Sequence, residues 1–242
     1  MHRSAPRLSR ILACAAVPVM LVVAGCSSDS DGSGSSPDKG KGSASSATPS
    51  AQQSTKTVEP AKFAKLPDVC KSISAKTTAS LVPKAKAKNG TTAPSSDTTS
   101  RGGCSWNGLE DKGLKGSQYR WLDVSFYRYE SDLSLGSGQE RAQENFAKEL
   151  TKLQATEGAK KVRTTEAPGV GEQSKAVAYE LRKTGEDFKY ASIVARTGNV
   201  LVLLTYNGAG YAGASAPTDK VIMEGAVKAA KEAVAAVASA NP

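Results

Sequence analysis

Hydrophobic and polar positions follow different rules in different parts of this chain. Ile11 to Gly25 is an apolar run, and Ser27 to about Thr57 then contains no large apolar residue at all. Periodic patterning begins near Val58. Ser74 is placed to cap a short helix running toward Leu81-Val82 and stopped by Pro83. Lys88 to Arg101 reads as a loop. Trp121 to Tyr129 alternates, with Leu122, Val124 and Phe126 on one face and Trp121, Tyr127 and Tyr129 on the other, which predicts a strand.

Ser137 and Glu140 have capping-box spacing, and the helix they open carries Ala142, Phe146, Leu150 and Leu153 on one stripe. Ala176 to Arg182 alternates again. Tyr190–Arg196 and Val200–Tyr206 flank Thr197-Gly198-Asn199, a hairpin signal, and the nearly all-apolar second arm predicts a central strand covered on both faces. Thr218 or Asp219 opens a last helix whose stripe reads Met223, Val227, Ala230, Val234 and Val237. Helix, strand, helix, strands, helix predicts an α+β domain: a mostly antiparallel sheet with helices packed on it, single from 58 to 242 and stapled by one disulfide.

The first part of the chain changes the picture. Arg3, Arg7 and Arg10 precede the apolar run, which is too short for a comfortable membrane span and contains Pro18. The run ends in Val23-Ala24-Gly25-Cys26, and this resembles the lipobox of bacterial lipoprotein precursors. The resemblance implies cleavage after residue 25 and a thioether-linked diacylglycerol on Cys26, with a second acyl chain for stable membrane attachment. Residues 26–57 are then a lipidated cysteine and a disordered Ser/Gly-rich stalk, roughly 30 Å in typical reach. The expected location is the outer face of the cytoplasmic membrane.

The whole chain carries a net charge of +9, of which three charges are the arginines at 3, 7 and 10, leaving +6. The lysines are interspersed with acids and not clustered with aromatics, so nucleic acid is a poor partner. An anionic envelope surface, or simple solvation, accounts for the excess. Of the four cysteines, Cys14 leaves with the signal and Cys26 takes lipid. Cys70 and Cys104 remain, and an exported pair is expected to form a disulfide. The alternative, a two-cysteine metal site, would need partners and finds no histidine.

Leu66-Pro-Asp-Val-Cys70 and Gly103-Cys104-Ser-Trp106, with Pro168-Gly-Val-Gly-Glu-Gln173 later, resemble an actinobacterial family of small secreted lipoproteins that carries no assigned function. The resemblance covers most of Leu66 to Ala238. It departs from the family after Cys70, where KSISAKTTAS replaces a leucine-richer helix. It implies a lipid-attached extracytoplasmic domain with a structural disulfide, and Trp106 packed against that disulfide.

Candidate chemistry is sparse. The only histidine is His2, so the mature chain has no imidazole for a Ser-His or Cys-His mechanism or for a metal, and no cofactor is implied. Ser36-Pro-Asp-Lys39 fits Ser-x-x-Lys but lies in the stalk. Gly208-Ala-Gly-Tyr-Ala-Gly213 matches a dinucleotide fingerprint, yet Ala-Ser-Ala-Pro separates it from the helix, so it reads as a flexible loop. Glu110-Asp111 and Glu186-Asp187 are the acid pairs open to a hydrolytic reading. Trp121, Tyr127 and Tyr129 form a candidate face for a glycan or partner protein, unless a helix covers them. The leading expectation is a non-enzymatic binding module engaging an envelope component or membrane protein. The alternatives are a carrier of a lipid or small apolar ligand and, last, a carboxylate-based wall-glycan hydrolase.

Overall fold

A computed structural model describes residues 57–242, which belong to one compact unit. Cys26, the apolar run before it and the stalk to residue 56 lie outside the described residues. Seven strands form one fully antiparallel sheet. They are β1 (Thr91–Thr92), β2 (Arg101–Asp111), β3 (Ser117–Arg128), β4 (Lys160–Glu166), β5 (Gln173–Lys183), β6 (Glu186–Thr197) and β7 (Val200–Tyr211), in the spatial order β1-β2-β3-β7-β6-β5-β4. Consecutive strands pair except β3 and β4, which α2 separates in the chain, and β7 joins the two halves of the sheet by pairing with β3. Three helices complete the domain: α1 (Ala75–Leu81), α2 (Gly138–Gln154) and α3 (Asp219–Ser239).

The two faces of the sheet are covered unequally. On one, α1 and α3 close a core containing Trp106, Leu122, Val124, Phe126, Ile193, Val202, Leu204 and Tyr206. Alternation on β3 sends Leu122, Val124 and Phe126 there, as period-2 geometry requires. On the other, α2 packs over β4 to β7, where Phe146, Leu150 and Leu153 meet Val194, Leu201 and Leu203. β7 is central and apolar on both faces.

Helix starts follow their capping residues. Ser74 Oγ accepts from Thr77 N, Thr218 Oγ1 from Val221 N, and Ser137 with Glu140 makes a full capping box. The β6–β7 turn is Gly198-Asn199. Asn199 is fully buried: its Oδ1 accepts from Phe63 N at 2.7 Å, and its Nδ2 donates to Phe63 O at 3.0 Å and Tyr129 O at 2.9 Å. The segment before α1 is thereby fastened to the hairpin, and Asn241 fastens it again through Ala64, Lys65 and the end of α3.

Several expectations are corrected. The segment Gly208–Tyr211, read as loop, continues β7. The glycines are needed there because β7 runs tightly beside its neighbours: a Cβ on Gly208 would stand 2.8 Å from Tyr119 O, and one on Gly210 2.1 Å from Ala214 O. The buried stripe of α3 is Ile222, Gly225, Ala226, Ala229, Ala230, Ala233 and Val237, with Met223, Val227 and Val234 only flanking it. A helix pressed this close to a sheet puts its smallest residues inward, and Gly225 lies against the Tyr206 ring. β2 and β4 are additional strands, and β1 interrupts the loop expected at 88–101.

Candidate functional site

The sheet face that carries α2 is left partly open where β2 and β3 extend beyond that helix. Along β3 this face presents Trp121, Asp123, Ser125 and Tyr127 in turn, all half-buried. Opposite them on β2 stand Asn107, Ser105, Gly103 and Arg101, paired residue for residue. The third sequence candidate, Tyr129, lies just past the end of the strand.

Sequence alternation put the three aromatics on one face, and the fold divides them. Tyr127 and Tyr129 pack beside Phe146, Leu150 and Leu153 of α2, with the Arg141 guanidinium 5.8 Å from the Tyr129 ring centre. Trp121 belongs to no buried cluster. Its cross-strand partners are Asn107 and Asn207, with Asp123 next on the same face, which sets an aromatic plate beside hydrogen-bonding groups.

Toward the Tyr127 end the open face becomes concave. The segment 93–97 folds over β2, held by Ala93 N donating to Gly103 O at 2.9 Å. Gly103 makes this approach possible, since a Cβ there would lie 3.0 Å from the Ala93 Cβ. A cavity of about 290 Å³ results, lined by Pro94, Asp97, Arg101, Ser125 and Tyr127 among others. Asp97 fixes the segment's turn by accepting from the hydroxyls and amides of Ser100 and Thr99, which hold its carboxyl at about 2.

Asp123, midway along the face, is a residue of this site that aromatic patterning does not single out. Burial alone pushes its carboxyl up to about 6, and among the described residues it accepts no hydrogen bond. Next to it across the sheet stand Thr205 on β7 and then Ser192 on β6; their hydroxyls share a bond of 2.9 Å, and Ser192 reaches the Tyr179 hydroxyl at 3.5 Å. Its signal was present in the sequence: an acid at the one position between Trp121 and Ser125 that shares their face. Beyond this polar row, under α2, Tyr119, Tyr179, Phe188, Tyr190 and Tyr211 form a second aromatic cluster, with Tyr179 and Tyr190 stacked at 4.8 Å.

The reverse face holds the disulfide. Cys70 and Cys104 are bonded, joining the short 3-10 turn Val69–Lys71 to β2. Trp106, two residues along, is 2 % exposed and packs in the α1–α3 core under Gly90. Its Nε1–H has no acceptor among the described residues. Leaving a buried donor unpaired costs about 1–3 kcal/mol.

Three of the four candidate acids make local contacts, and the fourth, Glu186, opens β6. Glu110 pairs with Lys112, Asp111 accepts from Gly113 N and Ser117 Oγ, and Asp187 pairs with Arg182. Glu180 and Asp219 meet through Lys189, at 2.6 and 2.8 Å, and that ammonium lowers both carboxyls, with Lys161 and Arg163 contributing. Among the described residues, no three His, Cys, Asp or Glu side chains are grouped to hold a metal, and no helix is long and apolar enough to cross a membrane.

No protein-family model and no curated protein matches the chain. Among solved structures, LpqN, described as involved in cell envelope biogenesis of Mycobacterium tuberculosis, is similar over 53% of this chain and 68% of its own, at 12% identity. The TM-score is 0.30, too low for the likeness to bear on function.

Proposed function

We propose that this chain is a lipid-tethered, non-enzymatic binding module at the outer face of the cytoplasmic membrane, and that its β2–β3 face grips an envelope glycan. The carrying observation is that Trp121 lies outside the clusters under α2, half-buried, between Asn107 and Asn207 across the strands and with Asp123 next on its face. A flat ring stacks on the C–H face of a sugar, and short amides, hydroxyls and a carboxyl serve its hydroxyls. The concave end by Tyr127 and Arg101 supplies a stop for such a chain. A binding role is further supported by Glu110, Asp187, Glu180 and Asp219, whose carboxylates are each tied to a lysine or arginine.

Co-sedimentation of the purified Gln53–Pro242 unit with isolated cell-wall sacculi tests this. The domain should pellet with them, and Trp121→Ala should weaken retention at least tenfold while keeping the parent circular-dichroism spectrum. Equal retention of parent and variant would overturn the glycan face.

A further inference from the structure

A groove on the opposite side of the domain has the features of a second binding site. One wall is α1, presenting Ala75, Thr78 and Ala79, with Val82 just beyond its end. The other is the strap 84–90, which β2 holds in place: Lys86 N donates to Asn107 O at 2.9 Å, and Ala85 bridges Gly108. Gly108 permits that approach, since a Cβ there would stand 2.5 Å from Pro83 O. α1 is fixed in turn by α3, because Glu232 accepts from Ser74 N and from the Thr77 hydroxyl.

Two cavities open between these walls, of about 460 and 550 Å³, and both touch Ala75, Thr78, Lys88 and Asn89. They are adjoining parts of one groove, of the size that takes small ligands. The two ends differ chemically. The smaller is walled by Ala79, Val82 and Ala85 and is apolar. The larger ends on the disulfide and on Trp106, the buried indole whose Nε1–H lacks an acceptor. Lys84 and Lys88 stand exposed at the rim, and neither makes an ion pair among the described residues. The one acid in the lining, Asp68, is already paired to Lys71 at 2.9 Å.

We propose that this groove binds a single-chain amphiphile with an anionic head, the tail along Ala79, Val82 and Ala85 and a head-group oxygen accepting from Trp106 Nε1–H. The apolar end takes methylenes out of water, Lys88, which borders both parts, balances the head's charge, and the acceptor supplies the hydrogen bond that the fold leaves unmade. This site lies on the other face from Trp121, so the two readings stand or fall separately.

The chain contains two tryptophans, Trp106 and Trp121, so a 15N-labelled Gln53–Pro242 unit gives two indole N–H signals, assigned with Trp121→Phe. Dodecanoate, titrated below its micelle concentration, should shift the Trp106 signal saturably and leave that of Trp121 in place. Ala79→Phe, on the exposed side of α1, should block the apolar end and abolish the shift. Lys84→Glu with Lys88→Glu should weaken apparent affinity at least fivefold. A Trp106 signal that stays still would overturn the proposal. So would an equal response to dodecyltrimethylammonium, or to acetate, which has the head without the tail.

Discussion

Asp123 shows what a single position can cost a fold. It follows the alternation of β3 and so stands on the open face, but its neighbours exclude enough water to push its carboxyl up to about 6 without a hydrogen bond in return. An unfolded aspartate titrates near 3.8, so between those values the folded chain holds a proton that the unfolded chain has released. Stability therefore falls as pH rises through that window and levels off above it. Asp123→Asn should raise unfolding free energy by about 1–2 kcal/mol at pH 7, discounted because the group is partly solvated, with the gain vanishing below about pH 4. Urea titrations at pH 4 and pH 7 check this; an equal effect at both would mean that ionisation is not its source. Asn199 is the opposite case, a buried polar side chain whose amide makes three backbone hydrogen bonds and is thereby satisfied.

Elements were legible in the sequence where periodicity and end signals agreed. The caps Ser74, Ser137 and Thr218 mark the observed helix starts, and Gly198-Asn199 marks the β6–β7 turn. β2 was illegible because Gly102, Gly103 and Gly108 remove the side chains that alternation is read from; these glycines exist for close approaches by Val69, Ala93 and Pro83. β4 was illegible because it is an exposed edge strand, Lys-Lys-Val-Arg-Thr-Thr-Glu, with no buried face to pattern. α1 has only seven residues and depends on α3 for its place. Burial works against the Glu232 charge, yet the Thr77 hydroxyl and the Ser74 amide hold its carboxyl below the ordinary value. Glu232→Ala should cost about 1–2 kcal/mol. Hydrogen exchange should accelerate first in 74–82, leaving the β6–β7 amides protected; uniform acceleration would show that α1 does not move as a separate unit.

At the scale of the whole molecule, the disulfide ties the segment before α1 to β2 across 34 residues of sequence. In the chain-entropy account, closing a loop of that size stabilises the fold by about 3–4 kcal/mol. Cys70→Ala with Cys104→Ala should therefore lower the urea midpoint by that equivalent. A loss below about 1 kcal/mol would mean that Asn199 and Asn241 hold the segment without it. The same closure keeps Trp106 and the α1 groove together, so the double variant should also blunt the Trp106 response to dodecanoate.

What the sequence determined by itself is the chemistry that depends on residue identity and short spacing: the α+β composition, the caps, the central hairpin, the face shared by Trp121 and Tyr127, and the inventory from which Cys70 and Cys104 could pair. Tertiary structure decided everything that depends on which element covers which. α2 shelters Tyr127 and Tyr129 but not Trp121 because it packs chiefly over β4 to β7 and meets β3 at its Tyr127 end. α3 packs Gly225 and its alanines against the sheet along its middle, with Ile222 and Val237 buried toward its two ends. The groove beside Trp106 arises where α1 and the 84–90 strap meet over β2 and no side chain fills the gap. Periodicity fixes the direction a side chain faces, whereas long-range packing fixes what it meets there.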